Sequence, residues 1–314
     1  MKIAITGSNG FIGKKLSKTF EEKDIELIKI RRQKDENGVL TSKFILDSNG
    51  VSYLKNVDIV IHCAARVHRI KEDKFKAAKL YEESNIKSTI DLANISAKFG
   101  VRKFIFLSSI KVNGEETKKD EFFNEESLEN PSGIYAKSKY SAERDLMLIK
   151  KKLKFIIIRP PLVYGPGVGA NFRKILWAVS KELPLPFNEK INKRSFIYID
   201  NLIAFIYECC IKKEADNKIF TVSDNQDLST KELIEKLAFY MNKNTRLFQL
   251  NKFILKYIFK FARKEDTFKK LFNSLQINPK NGFKKLQFSP PYSVDYGLKE
   301  TVNWYINLNN INNE

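Results

Sequence analysis

Short apolar runs alternate with helical rhythms through the first half of the chain. Ile3-Ala4-Ile5 opens the series, and residues 14–22 follow with apolar positions at the helical period. Further runs lie at 25–30, 44–46, 57–61, 104–107 and 155–158. Helical stretches at 81–99 and 135–151 separate the last three. Continuous apolar strands joined by helices predict parallel strands with crossovers, an α/β, Rossmann-like doubly wound parallel sheet.

After RPPLVYGPG, residues 159–167, prolines and glycines cluster and the alternation loosens. This predicts a main domain over 1–165 and a smaller C-terminal α/β lobe over 166–314. Helix 171–181 belongs to the lobe, and the run at 219–222 is a candidate to rejoin the main sheet. Ser229-Thr230-Lys231-Glu232 has the form of a capping box, which starts a helix reaching about Met241.

Composition narrows the class. The chain has 314 residues, of which 43 % are hydrophobic, enough for a full core. No run approaches the ~20 apolar residues that span a bilayer, and the N-terminus enters a strand directly, so no signal peptide is expected. Cys63, Cys209 and Cys210 offer neither a disulfide framework nor metal spacing, which fits a reducing cytoplasm. His62 and His68 read as packing or loop residues, and no metal is expected. The formal charge is +19, which suits nucleic acid, anionic lipid or an anionic substrate. The basic residues are dispersed and no nucleic-acid motif is present, so no nucleic-acid partner is expected. One segment, 251–264, sets Lys252, Lys256, Lys260 and Lys264 four apart on an otherwise apolar helix. It reads either as a peripheral membrane contact or, more plainly, as a helix buried on three sides of the lobe.

Chemistry enters with the first turn. Gly7, Gly10 and Gly13 lie between the first strand and the first helix. There they permit a tight turn, close approach to a pyrophosphate and close helix–sheet packing, with the helix N-terminus facing the phosphates. The spacing is G-x-x-G-x-x-G, a departure from the commoner G-x-G-x-x-G. The second strand ends in Arg31 and Arg32 where an NAD site carries an acid, so two guanidiniums favour the 2′-phosphate of NADP, with NAD the alternative. The plain reading of both is a solvated surface. Asp47 is placed for the adenine edge, or simply for a turn.

Tyr135 and Lys139 lie four apart at a helix start, and Ser108 and Ser109 end the strand before it. A phenol titrates too high for proton exchange at neutral pH, and an ammonium one turn along would bring it down. A serine hydroxyl can hold a carbonyl or alkoxide beside them. These are the parts that move a proton while a nicotinamide moves a hydride.

With these motifs the chain resembles the extended short-chain dehydrogenase/reductases, in the nucleotide-sugar epimerase/reductase branch. TGSNGFIG is similar to the family's cofactor turn, HCAARVH to its fourth-strand end and YAKSK to its catalytic helix. RPPLVYGPG and RSFIYIDN resemble its substrate-side signatures, and the likeness runs to SLQINPKNGFKKLQFSPPYSVDYGLKETVNWY. The resemblance implies Tyr135 as acid/base, Lys139 as its partner and a ribose ligand, and Ser109 as the hydroxyl on the sugar oxygen. Ser109 is preferred to Ser108 because it stands three before Val112 in the S-x-x-V-x-G pattern. The resemblance also implies cofactor contacts from Asn9, Phe11 and Ile12 within the turn and from Ala64, Ala65 and Asn85. Asn171 and Arg194 would contact the nucleotide diphosphate, and a homodimer is implied.

The departures discriminate among reactions. The family's 4,6-dehydratases carry Asp-Glu after the catalytic hydroxyl, where Ile110 and Lys111 stand here. Its UDP-glucose 4-epimerases usually have Tyr at the place of Asn113 and Asp at the place of Arg31. The resulting expectation is reduction of the C4 ketone of a UDP-linked 4-keto-6-deoxy amino sugar. SSIKVNGE and RPPLVYGPGVGANF resemble the bacterial branch that makes UDP-N-acetylquinovosamine, and an NADP site suits net reduction. A UDP-hexose 4-epimerase is the alternative, and a non-catalytic dinucleotide-binding protein the weaker one.

Overall fold

The computed structural model describes residues 1–30, 32–34, 40–44, 54–67, 74–188, 192–262 and 265–311. In chain order the elements are β1 (Lys2–Thr6), α1 (Phe11–Glu21), β2 (Glu26–Ile30), β3 (Arg32–Lys34), β4 (Leu40–Phe44) and β5 (Ile59–His62). Then come α2 (Lys74–Tyr81), α3 (Ser88–Lys98), β6 (Lys103–Leu107), α4 (Gly133–Leu148), β7 (Lys154–Arg159) and β8 (Leu162–Tyr164). The C-terminal part holds α5 (Ala170–Ser180), β9 (Pro184–Leu185), β10 (Phe196–Tyr198), α6 (Ile199–Ile211), β11 (Lys218–Thr221) and α7 (Thr230–Met241). It closes with β12 (Arg246–Leu247), α8 (Lys252–Phe261), α9 (Glu265–Phe272), α10 (Lys280–Lys285) and α11 (Val294–Ile311).

Six parallel strands form one sheet in the order β11-β7-β6-β5-β1-β2. Alternate side chains feed two cores, because successive Cβ atoms point to opposite faces. Ile3, Ile5, Ile59, Ile61, Ile105 and Ile156 face one. Ala4, Val60, Phe104, Phe106 and Ile157 face the other, with Leu92 of α3 and Leu146 of α4. Burial on both faces explains why these strands are apolar runs without polar alternation. The strand order reverses between β1 and β5, and the crevice beyond their C-terminal ends is where such sheets bind ligands.

Three expectations are corrected. The run at 44–46 is not a strand of the main sheet: 40–44 pair antiparallel with β3 as a separate ribbon, and 45–46 lie outside the described residues. The helix expected over 81–99 is interrupted, since Glu82–Lys87 forms a π-helical turn between α2 and α3. One extra residue per turn is invisible to a 3.6-residue pattern. The helix expected to reach Lys151 ends at Leu148. The capping box is formed in full, with Ser229 and Glu232 each satisfying the other's backbone N–H.

Candidate active site

The first turn is built by exclusion. Gly7 has φ +69°, and a Cβ there would lie 2.8 Å from the backbone N of Ala64 at the end of β5. Gly13 has no room either: a Cβ would lie 2.3 Å from the Gly7 carbonyl oxygen. Both contacts are with backbone, which cannot swing aside. Gly10 donates its N–H to the Gly7 oxygen (2.8 Å) and caps α1 with no side-chain hydrogen bond. The opening N–H groups of α1, at Phe11, Ile12 and Gly13, are therefore left for an anion. Asn9 and Gly10 are exposed, and Phe11 and Ile12 are partly buried. Ser8 Oγ is buried with no hydrogen-bond partner among the described residues. A cradle of backbone N–H groups with a spare buried hydroxyl fits a dinucleotide pyrophosphate. Gly13→Ala is expected to weaken dinucleotide binding at least tenfold and to cost about 1–3 kcal/mol of stability through overpacking. Fluorescence titration and thermal melting check both, and wild-type affinity in the variant would remove the turn from the site.

Ala64 lies against Gly7 and donates its N–H to Thr6 Oγ1 (3.3 Å). Ala65 follows it, half-buried. Asn85 stands in the π-helical turn and is buried. Its Oδ1 accepts from the Arg66 N–H (2.7 Å), while its Nδ2 donates to the Arg66 carbonyl (3.1 Å) and to Ser138 Oγ of α4 (3.0 Å). Asn85 thus ties the segment after β5 to the helix that carries Tyr135. His62 is a satisfied core residue: its ring nitrogens pair with Thr6 (2.7 Å) and Thr89 (3.0 Å) hydroxyls and it stacks on Phe106. Arg31, Asp47, His68 and Lys264 lie outside the described residues, and Arg32 is placed on the β3 ribbon.

Beyond β6, Ser109 caps a single 3₁₀ turn, Ile110–Val112, accepting the Lys111 N–H at 3.3 Å. Tyr135 stands beside Ser109, whose hydroxyl is placed to favour the phenolate. Burial pushes its phenol up to about 12, against the nearby Ser109 hydroxyl, which lowers it. Lys139, one turn along, turns its ammonium toward the end of β6. Its Nζ donates to the Leu107 carbonyl (2.8 Å) and sits 4.4 Å from the Phe106 ring centroid. Burial brings Lys139 down to about 8, offset by the nearby Cys63 and Glu143. Tyr135 and Ser109 therefore stand side by side, while the ammonium is anchored on the Leu107 carbonyl.

Behind Lys139 lies a charged network. Glu143, a further turn along α4, is fully buried. It accepts Arg159 at Nε (3.1 and 3.2 Å) and Nη2 (2.6 Å), and also accepts the Ser108 hydroxyl. Arg159, equally buried, also donates to Asn113 Oδ1 and Glu129 Oε1, each at 3.1 Å. Ser108 is turned into this network while Ser109 meets the phenol, and Asn113 is buried within it. Glu143 and Arg159 were missed from sequence, although signals existed: 135, 139 and 143 share one helix face, and Arg159 ends an apolar strand.

On the lobe side, Arg194 is brought down to about 10 by burial, with the charge of Glu115 opposing. Its Nη1 donates to the Asn273 carbonyl at 2.7 Å. Glu115 accepts Lys111 Nζ at 2.7 and 2.9 Å. Asn171 is half-buried at the start of α5. No group of residues that could hold a metal ion exists among the described residues.

Residues 3–223 match the model of the NAD dependent epimerase/dehydratase family. A UDP-glucose 4-epimerase of Vibrio cholerae is 36 % identical over 316 residues, covering 98 % of this chain and 96 % of that one. A dTDP-4-dehydro-6-deoxyglucose reductase of Escherichia coli is 28 % identical over 77 % of this chain and 82 % of that one. Among solved structures, a UDP-glucuronic acid 4-epimerase of Bacillus cereus in complex with NAD superposes with a TM-score of 0.77 at 21 % identity, covering 98 % of this chain and 97 % of that one.

Proposed function

The chain belongs to the NAD dependent epimerase/dehydratase family, and on that premise we propose that it inverts C4 of a UDP-linked hexose through a transient C4 ketone. The observation that carries the reading is the placing of Ser109 beside Tyr135, in a chain that also has the Gly7–Gly13 turn, with Ile110 and Lys111, not carboxylates, following Ser109. A dehydratase needs an acid there to expel water.

A bound nicotinamide dinucleotide supplies the acceptor and donor of hydride for C4. The glycine turn and the start of α1 bind its pyrophosphate, and Ala64, Ala65 and Asn85 line the neighbouring wall. As its phenolate, Tyr135 would take the proton from the C4 hydroxyl as hydride leaves C4, and would return that proton to the C4 oxygen when hydride comes back on the opposite face of C4. Ser109 donates a hydrogen bond to that oxygen and keeps it within reach of the phenol. Lys139 places positive charge behind both. Arg194 and Asn171 hold the nucleotide diphosphate, the guanidinium offering its remaining N–H groups.

The relative at 36 % identity supports epimerisation, and the family description supports NAD. The sequence favoured NADP and C4 reduction on Arg31 and Arg32. The relative and the family description, which name epimerisation and NAD, weigh more than those two arginines. Reduction of a 4-keto-6-deoxy amino sugar nucleotide is kept as the second reading, supported by the reductase relative.

Purified protein given UDP-glucose or UDP-N-acetylglucosamine, without added dinucleotide, is expected to form the 4-epimer. Turnover seen only with a 4-keto sugar nucleotide and NADPH would replace epimerisation by reduction. The pH profile tests the buried lysine. A group whose pKa burial has lowered to about 8 loses its charge as pH rises through that value. Turnover is therefore expected to hold at neutral pH and fall above about 8. A rate that keeps climbing to pH 10 would exclude any need for the Lys139 charge.

A further inference from the structure

α8 is apolar on two opposite faces. Leu255 and Phe259 pack inward, Phe259 against Phe268 and Phe272 of α9. Phe253 (74 % exposed), Ile254, Tyr257 and Phe261 (94 % exposed) point outward. At 100° per residue these four lie within one ~100° sector, so they form a continuous outer stripe. The expectation of a helix buried on three sides is thus overturned: one apolar face is covered and a second is not.

Charge runs along the flank of that stripe. Lys256 and Lys260 are exposed, one turn apart, between the outer stripe and the body of the lobe. With Lys269 they line a cavity of about 540 Å³, whose other walls include Glu116, Glu265 and Phe253. The segment 251–264 contains Lys252, Lys256, Lys260, Arg263 and Lys264 and no acidic residue, in a chain of net charge +19. None of the helices among the described residues is long and apolar enough to cross a membrane.

We propose that α8 is a peripheral docking helix that lies on an anionic phospholipid bilayer. Its ten residues run parallel to the surface with Phe253, Ile254, Tyr257 and Phe261 inserted to the depth of the upper acyl chains. Lys256 and Lys260 extend their ammoniums along the stripe to the lipid phosphates. Aromatic side chains beside exposed lysines match a surface that is apolar beneath and negative above. A protein groove would have to supply both an apolar floor and a row of carboxylates. The proposal does not depend on which sugar the enzyme takes.

The test is flotation of the full chain with phosphatidylcholine vesicles, with and without phosphatidylglycerol. Wild type is expected to float only with the anionic vesicles, and less at raised salt. Each basic residue near an anionic surface contributes about 1 kcal/mol. Lys256→Glu/Lys260→Glu is therefore expected to weaken partitioning at least tenfold, and Phe253→Ser/Tyr257→Ser/Phe261→Ser to abolish it. Circular dichroism and an unchanged melting temperature confirm that both variants fold. Three outcomes overturn the proposal. The wild-type protein could fail to float, or the double charge reversal could float undiminished. Alternatively, self-association could vanish in the triple variant without any vesicle binding, which would make the stripe an interface between copies of the chain.

Discussion

Tyr135→Phe is expected to reduce turnover by about 10²–10⁴-fold, the range typical of losing a general acid–base group. The fold and dinucleotide affinity should be unchanged. The hydroxyl is the only atom removed, and it is the atom that meets Ser109. The ring sits at the start of α4 and is partly buried, and the loss of one oxygen from it opens no cavity in the hydrophobic core. Because burial holds the phenol above its ordinary value, at about 12, it is protonated at neutral pH and ready to donate. The accepting half of the reaction needs the phenolate instead, which the Ser109 hydroxyl favours, as does positive charge one turn along at Lys139. Removing the phenol should slow both halves, in either direction of reaction. Single-turnover kinetics and a dinucleotide titration separate the two roles. A variant retaining wild-type turnover would leave the protein as a dinucleotide binder without this chemistry.

Glu143→Ala should be the most damaging single change to stability, costing about 3–5 kcal/mol, the range for removing one partner of a buried ion pair. Three hydrogen bonds from Arg159 and one from Ser108 end on this carboxylate. Burial works against the Arg159 charge, while the bonds from Glu143 and then Glu129 outweigh it and hold the guanidinium above its ordinary value. Without Glu143, Arg159 keeps only Asn113 and the partly exposed Glu129. Urea unfolding measures the loss. Glu143→Ala/Arg159→Met should recover part of it, because no charge is then left without a partner. Equal instability of the single and double variants would mean that packing, not charge, accounts for the effect. Lys139 packs on the same side of α4, so activity should fall in both.

The glycine turn and the Tyr135–Lys139 pair were legible because their determinants are local. Three glycines within seven residues, between an apolar run and a helical rhythm, describe one turn, and a spacing of four describes one helix face. The strands were legible for the same reason, since burial on both sides makes each an uninterrupted apolar run. The ribbon of β3 and β4 was not, because residues 44–46 are as apolar as a core strand and only pairing decides which sheet they join. The π-helical turn escaped as well. Its effect is to aim Asn85 at Arg66 and Ser138, 19 and 53 residues away.

The order of residues along the chain was enough to specify the α/β class, the turn for a dinucleotide and the phenol and lysine on one helix, all features whose physics is settled within a few neighbours. Only folding decided that Ser108 turns to Glu143 while Ser109 meets Tyr135, that Lys139 anchors on Leu107, and that α8 shows an aromatic stripe to the outside. Each of these is a choice between partners far apart in sequence, made by which groups burial strips of water and which neighbour then satisfies them.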